Sequence, residues 1–421
     1  GANNVAVGLS ALAANTTGAN NTAVGKDALV ANTTAASNTA VGFNVLGANT
    51  TGTANTAVGH NTLDAATTAH NNSAFGYNAL TTNTTGTLNV AIGSESMSDN
   101  TTGSNNTAVG QNSMARNTTG GTNTALGQNA LLTNTTGSFN TGLGHSALEG
   151  NSTGASNTAV GKNALAANTT AANNTAVGTN ASAAITTGAS NSALGKDAGK
   201  FVTTANSCTY IGKDAGNNAT EGNDNTTVGA QSGEHITGGT NNVCLGMNSA
   251  DNLTTGSNNI FIGRESTASG GGVGTEVVVG TALTGKGSTT GFYAGNTAIY
   301  NEGNTTAWQQ VSDRRIKKNI EDNNEGLNII NKVKVKNFEY KLPEEIEELP
   351  SHDAVDKQGV QVGTIAQELE EVAPNMIITH STGRKSVNTD NFTWYLINAV
   401  QELSTQVEEL KTQPKCKCNK E

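Results

Sequence analysis

One short stretch, Ser312-Asp313-Arg314-Arg315-Ile316-Lys317-Lys318, holds the pieces of a nucleophile and its base. A serine hydroxyl attacks poorly at neutral pH unless a neighbouring group takes its proton. Lysine can do so only when neutral, so Lys317 would need its pKa lowered by burial or by nearby positive charge. Arg314, Arg315 and Lys318 supply such charge, while Asp313 either orients the amine or opposes the shift. By spacing alone the two residues read as a loop serine and a solvated lysine, because residues five apart share neither a helix face nor a strand face.

Other chemistry is sparse. Cys416 and Cys418 end the chain in a Cys-Lys-Cys tail that offers two thiolates to a metal, a weak signal without a second pair. Cys208 and Cys244 fall at different positions of their repeats, which favours free thiols over a disulfide framework. Neither a cofactor nor a metal is expected. The net charge of −10 and pI of about 5.1, with no dense Lys/Arg patch in the first 280 residues, argue against nucleic-acid binding. No membrane-spanning run or signal peptide is present, so no membrane insertion is expected.

The elements that carry these residues begin with a repeat. Asn-Thr-Ala-Val-Gly returns every 17 residues without insertion or deletion, with its glycine at Gly8, Gly25, Gly42 and onward to Gly280. The residue before the glycine is always Val, Ile, Leu or Phe, and the residue four before it is Asn except at Cys208 and Glu276. A fixed short period marks a solenoid whose coils stack on one another. Residues 1–280 hold only 20 of the 56 charged residues, so a weakly charged array precedes a region of ordinary composition.

Within each repeat we expect two short strands and two turns. The first strand is the motif itself, and the second follows the glycine with Ala or Ser, then Leu or Met (Ala79-Leu80, Ser96-Met97). Asn-Thr-Thr-Gly then closes the coil as a turn. Strands about 4.8 Å apart would make the array a rod of roughly 80 Å. The two-residue strand period puts Thr and Val on one face and Ala on the other. We take the Val face as the core of each roll. The core is thin, so the Ala face is expected to pack between three chains in a homotrimer. On this assignment Val109→Asp buries a charge, whereas Lys162→Ala is silent. Near residue 181 the bulk moves: Leu four after the glycine gives way to Ser182, Gly199, Gly216 and Gly233, while Tyr210 and Phe261 replace the strand Ala.

The motif resembles the head repeats of trimeric autotransporter adhesins, though those proteins end in a membrane-anchoring barrel and this chain does not. The Asn-x-Thr triplets match glycosylation acceptors, but their recurrence favours a structural role. Residues 281–311 break the period and read as a neck. The chain opens in mid-repeat at Gly1, so an attachment segment is expected to precede it.

Beyond the neck, the Ser312–Ile320 opening, the phrase Gly363-Thr364-Ile365-Ala366-Gln367-Glu368, and a terminal helix from about Asn391 occur in order. Leu396, Val400, Leu403, Val407 and Leu410 alternate in steps of four and three, a coiled-coil seam. This region, an α+β domain at 312–390 with helix and tail at 391–421, resembles the endosialidase chaperone, or peptidase S74, family of phage tail spikes and fibres. The resemblance implies a trimerising intramolecular chaperone that cuts itself off between Val311 and Ser312, with Lys317 as partner of Ser312. It also implies a virion protein that meets a host surface receptor, with the chaperone acting in the host cytoplasm. An ice-binding solenoid, a bacterial-type surface adhesin and a glycan-degrading spike are the alternatives. The strand offers no exposed Thr-x-Thr face for ice, and the array has no recurring carboxylate pair for glycan cleavage.

Overall fold

The computed structural model describes the chain except residues 286–291, 295–298, 302–308, 311–313, 315–316, 348–356, 381–382 and 413–421. It divides into two compact units, Gly1–Val311 and Ser312–Glu421. The first is a parallel β-solenoid. Strands β1 (Val5–Val7) to β17 (Val277–Val279) each come from one repeat and pair in parallel with the strand 17 residues on, as in Thr107↔Thr124 and Ala108↔Ala125. The register changes only after β17, where Val277 pairs with Phe292 of β18 (Phe292–Ala294). Two antiparallel strands, β19 (Ile299–Asn301) and β20 (Gln309–Gln310), complete that sheet.

Each coil contains one strand rather than two. The segment after the glycine is a turn built on left-handed backbone: Asn129 has φ 56° and Leu131 φ 52°, and equivalent residues recur along the array. Asn, Asp and Ser tolerate this conformation two after the glycine, and Leu or Met, with no branch at Cβ, accepts it four after. The second of these positions ceases to be left-handed where it becomes β-branched. Thr267 instead bridges in parallel to Thr284. The glycine itself has φ near +130° and lies so close to the next coil that a Cβ on Gly110 would stand 2.5 Å from the Gly127 carbonyl oxygen. Only glycine fits there.

The strand faces are reversed from the sequence expectation. Ala23, Ala40, Ala57 and Ala108 are fully buried within their own chain, while Val109 is half-buried and Thr107 exposed on the outer face. The reason is room. The turn folds Leu29, Leu131 and their equivalents over the strand, and all of these are fully buried. A 17-residue coil closed in this way holds one Leu against one Ala, and a Thr/Val row would overfill it. Val109→Asp therefore does not bury a charge inside its own roll, and the Ala face is already covered without a second chain.

Polar groups inside the roll are satisfied along its axis. In one row the amide of Asn106 donates to Asn89 Oδ1 at 3.0 Å, its Nδ2 donates to the Gly120 carbonyl at 2.9 Å, and its Oδ1 accepts from the Asn123 amide at 2.9 Å. Cys208 takes an Asn place in this row, with its amide on Asn191 Oδ1 at 3.0 Å and its thiol donating to the Gly222 carbonyl at 3.2 Å. A second row links Asn83, Asn100, Asn117, Asn134, Asn151 and Asn168 side chain to side chain at 2.6–2.8 Å. It stops at Ile185, leaving Asn168 Oδ1 buried without a partner; Asn49 Oδ1 is orphaned likewise below Ala66.

Beyond that row the interior is rebuilt. Ile185, Val202, Ile236 and Leu253 fill the places of the second Asn row, and all are buried. Tyr210 and Phe261 occupy strand Ala positions and are fully buried. Tyr210 lies where Leu would otherwise stand, since a Cβ on Gly216 would be 2.1 Å from its ring and one on Gly199 2.8 Å. Cys244 is enclosed nearby, and burial pushes its thiol up to about 12.

Two outcomes test this interior. Asn106→Ala should cost about 2–3 kcal/mol by orphaning the Asn123 amide and taking from the Gly120 carbonyl one of its two side-chain donors, the other being Asn117 Nδ2, whereas Thr102→Ala on the exposed bend should stay within about 0.5 kcal/mol. Equal urea midpoints would remove the ladder from the account. Gly216→Leu should destabilise sharply because Leu meets the Tyr210 ring. Tyr210→Ala/Gly216→Leu together should cost at least about 1 kcal/mol less than the sum of the single changes. Strict additivity would show that the two sites do not share one space.

Candidate processing and assembly site

The second unit is small and built around its last helix. Helix α1 (Leu327–Ile330) packs on α3 (Asp390–Thr412), β21 (Lys336–Phe338) pairs antiparallel with β22 (Gln361–Gly363), and α2 (Ala366–Glu370) precedes the hairpin β23 (Ile377–Thr379) and β24 (Lys385–Val387). Its core is Ile329, Leu369, Ala373, Met376 and Tyr395, with Val333, Val372, Ile377, Val387 and Phe392 against it. Polar contacts fix α3 to the rest: Asn375 Nδ2 donates to the Tyr395 hydroxyl at 2.8 Å, and Asn398 Nδ2 donates to the Asn323 carbonyl at 2.8 Å. The amide of Leu327 donates to Glu402 Oε2 at 3.2 Å. Lys336–Glu368 and Lys385–Glu370 ion pairs tie α2 to the two hairpins. The hydrogen bond from Lys336 holds the Glu368 carboxyl below its ordinary range.

Helix α3 has two faces with different uses. Phe392, Tyr395 and Ala399 meet its own unit. Leu396, Val400, Leu403, Val407 and Leu410 are all exposed, Val400 at 64% and Leu410 at 65%. The coiled-coil spacing is thus separate from the helix's packing onto its own domain. An exposed apolar row of this length marks an interaction surface.

The array carries a comparable row. The residue before each repeat glycine points outward, and Phe75, Ile92, Leu126, Leu143, Leu194, Ile211 and Ile262 are exposed large hydrophobics. Sequence reasoning put this row in the core and so missed it as surface. The two-residue alternation carried no signal to separate the faces, since the residue before the glycine varies among Val, Ile, Leu and Phe. Beside it, Phe43, His60 and Tyr77 stack with ring centroids 5.0 and 5.4 Å apart, and Lys26 Nζ stands 5.3 Å from the Phe43 ring.

Val311 and Ser312 lie outside the described residues, as do Asp313 and Arg315 and the thiols Cys416 and Cys418. Lys317 is described. It is exposed, and its amide donates to the Arg314 carbonyl at 3.3 Å. The boundary between the two compact units falls between Val311 and Ser312.

Residues 312–378 match the Peptidase_S74 family model, described as chaperone of endosialidase. The match begins at Ser312 and leaves the array and α3 outside it. No curated protein and no solved structure matches the chain. A chaperone-of-endosialidase segment following a parallel β-solenoid fits an intramolecular chaperone attached to a fibre.

Met376 is fully buried, so Met376→Ala should cost this unit about 2–5 kcal/mol. Tyr395→Phe should cost about 0.5–1.5 kcal/mol through the lost Asn375 bond. Denaturant melts followed by tryptophan fluorescence check both, and an unchanged midpoint for Met376→Ala would displace it from the core.

Proposed function

We propose that this chain is the shaft and chaperone of a homotrimeric viral or phage fibre that meets a host surface receptor. The C-terminal unit sets three chains in register during assembly in the host cytoplasm, then releases itself by a cut between Val311 and Ser312. Ser312 is the nucleophile of that cut and Lys317 its base.

The observation that carries the reading is the pair of exposed apolar rows, one on the array strands and one on α3, in a chain whose C-terminal unit matches a chaperone family. In a homotrimer each row would be covered by its counterparts on the other two copies. The chaperone answers a physical problem posed by the array. Sliding one repetitive chain along another by a repeat preserves nearly every contact, so register must be set where the sequence does not repeat. Lys317 would act on Ser312 only in the assembled state. Cleavage would then report correct assembly.

Masses of the purified protein, native and denatured, test both parts. Wild type should give a trimer whose denatured chains include a fragment beginning at Ser312. Ser312→Ala should give an intact 42.6 kDa chain that still trimerises, and Lys317→Ala nearly the same. Leu403→Asp should prevent trimer formation, and a chain ending at Val311 should aggregate through its uncovered rows. An intact wild-type trimer after prolonged incubation would leave the alignment role and remove the cut. Soluble trimeric rods from the chain ending at Val311 would remove the chaperone role.

A further inference from the structure

One cluster of side chains in the array has no part in this reading. Glu234 and His235 come from the turn side of one coil and Asp251 from the same turn of the next, with one ligand atom of each within 4.8 Å of the others. We infer that these three residues bind a divalent transition-metal ion of the zinc class, bridging the two coils.

The geometry resembles a metal site more than an ion pair. His235 Nε2 stands 3.6 Å from Asp251 Oδ1, too long for a hydrogen bond. Two ligands each about 2.0 Å from a tetrahedral zinc ion stand about 3.3 Å apart, close to that separation. Two carboxylates converge on one imidazole, so a divalent cation would neutralise them together. Each side chain also has an amide to orient it. Gln231 Nε2 donates to Glu234 Oε2 at 3.2 Å, which leaves the other carboxylate oxygen for the ion. Asn218 Nδ2 lies 3.3 Å from His235 Nδ1. With that amide turned over, its oxygen accepts from Nδ1–H and Nε2 presents its lone pair, the usual support of a metal-bound histidine. Imidazole among the ligands favours zinc-like ions over calcium.

The place is also one where the coils are less tied. In every coil from Ala14 to Asn218 the amide six after the glycine donates to the carbonyl five after the next glycine, as Asn218 does to Glu234 at 2.9 Å. Among the described residues this bond is not formed between His235 and Asp251. The hydrophobic interior also divides here, one cluster ending at Ala219 and the next beginning at Ile236. A metal ion would link two coils that lack a bond found throughout the preceding array.

The test is calorimetric titration of zinc chloride into the full-length chain carrying Cys416→Ser and Cys418→Ser, which removes the competing thiols, after dialysis against EDTA. One zinc ion should bind per chain, with calcium at least 100-fold weaker. His235→Ala and Asp251→Asn should each weaken zinc at least tenfold, with circular dichroism unchanged because all three side chains lie at the surface. Gln231→Leu and Asn218→Leu should weaken it less. Absence of zinc binding at micromolar concentration, uptake unaffected by His235→Ala, or calcium bound as tightly as zinc would each overturn the site.

Discussion

The two rows of buried Asn side chains bond from coil to coil, and the rest of the solenoid depends on that stacking. A buried amide or carboxamide without a partner is costly, and a narrow roll has no water inside to offer one. The Asn rows meet the demand by presenting a donor to one neighbour and an acceptor to the other, as Asn106 does between Asn89 and Asn123. A single inserted residue would shift the contacts of its own coil with the next, because each bond joins residues 17 apart. The unbroken period of the sequence is the imprint of this constraint, and Cys208 shows its tolerance: a thiol passes because it can both donate and accept.

Interior volume imposes the second constraint. One Leu against one Ala fills a coil, so a larger strand residue needs a smaller one opposite. Tyr210 facing Gly199 and Gly216 is that exchange in one place. The left-handed turn adds a restriction of conformation, since Leu, Met, Ser, Ala and Gly hold the position four after the glycine until Thr267. Volume and backbone handedness thus meet at the position four after the glycine, where Gly199 and Gly216 satisfy both, while polar satisfaction governs the Asn rows.

With the interior complete in a single chain, the outward rows acquire their meaning. A coil that needed partners to bury its alanines would fold only as an assembly. The roll described here closes on its own core and still exposes a branched apolar residue on coil after coil. Helix α3 repeats the arrangement, with Tyr395 and Ala399 inside and Val400 and Leu403 outside. Both units separate the residues that fold the chain from apolar residues left exposed.

The sequence by itself determined the solenoid, its period, the parallel one-coil register, the change of interior bulk from near residue 181, and the chaperone-like character of the region from Ser312, of which residues 312–378 match the family model. These rest on repetition and on local motifs, which survive without coordinates. It did not decide which strand face turns inward, because a two-residue alternation is symmetric between faces. That was settled by how much volume the turn leaves after Leu131 and its equivalents are laid across the strand. Nor did it decide that the segment after the glycine is a turn, since Ala-Leu suits a strand or a helix equally and only the closing path of the coil demands left-handed backbone there. The Glu234, His235 and Asp251 cluster was equally hidden: residues 16 and 17 apart meet only because one coil stacks directly on the next.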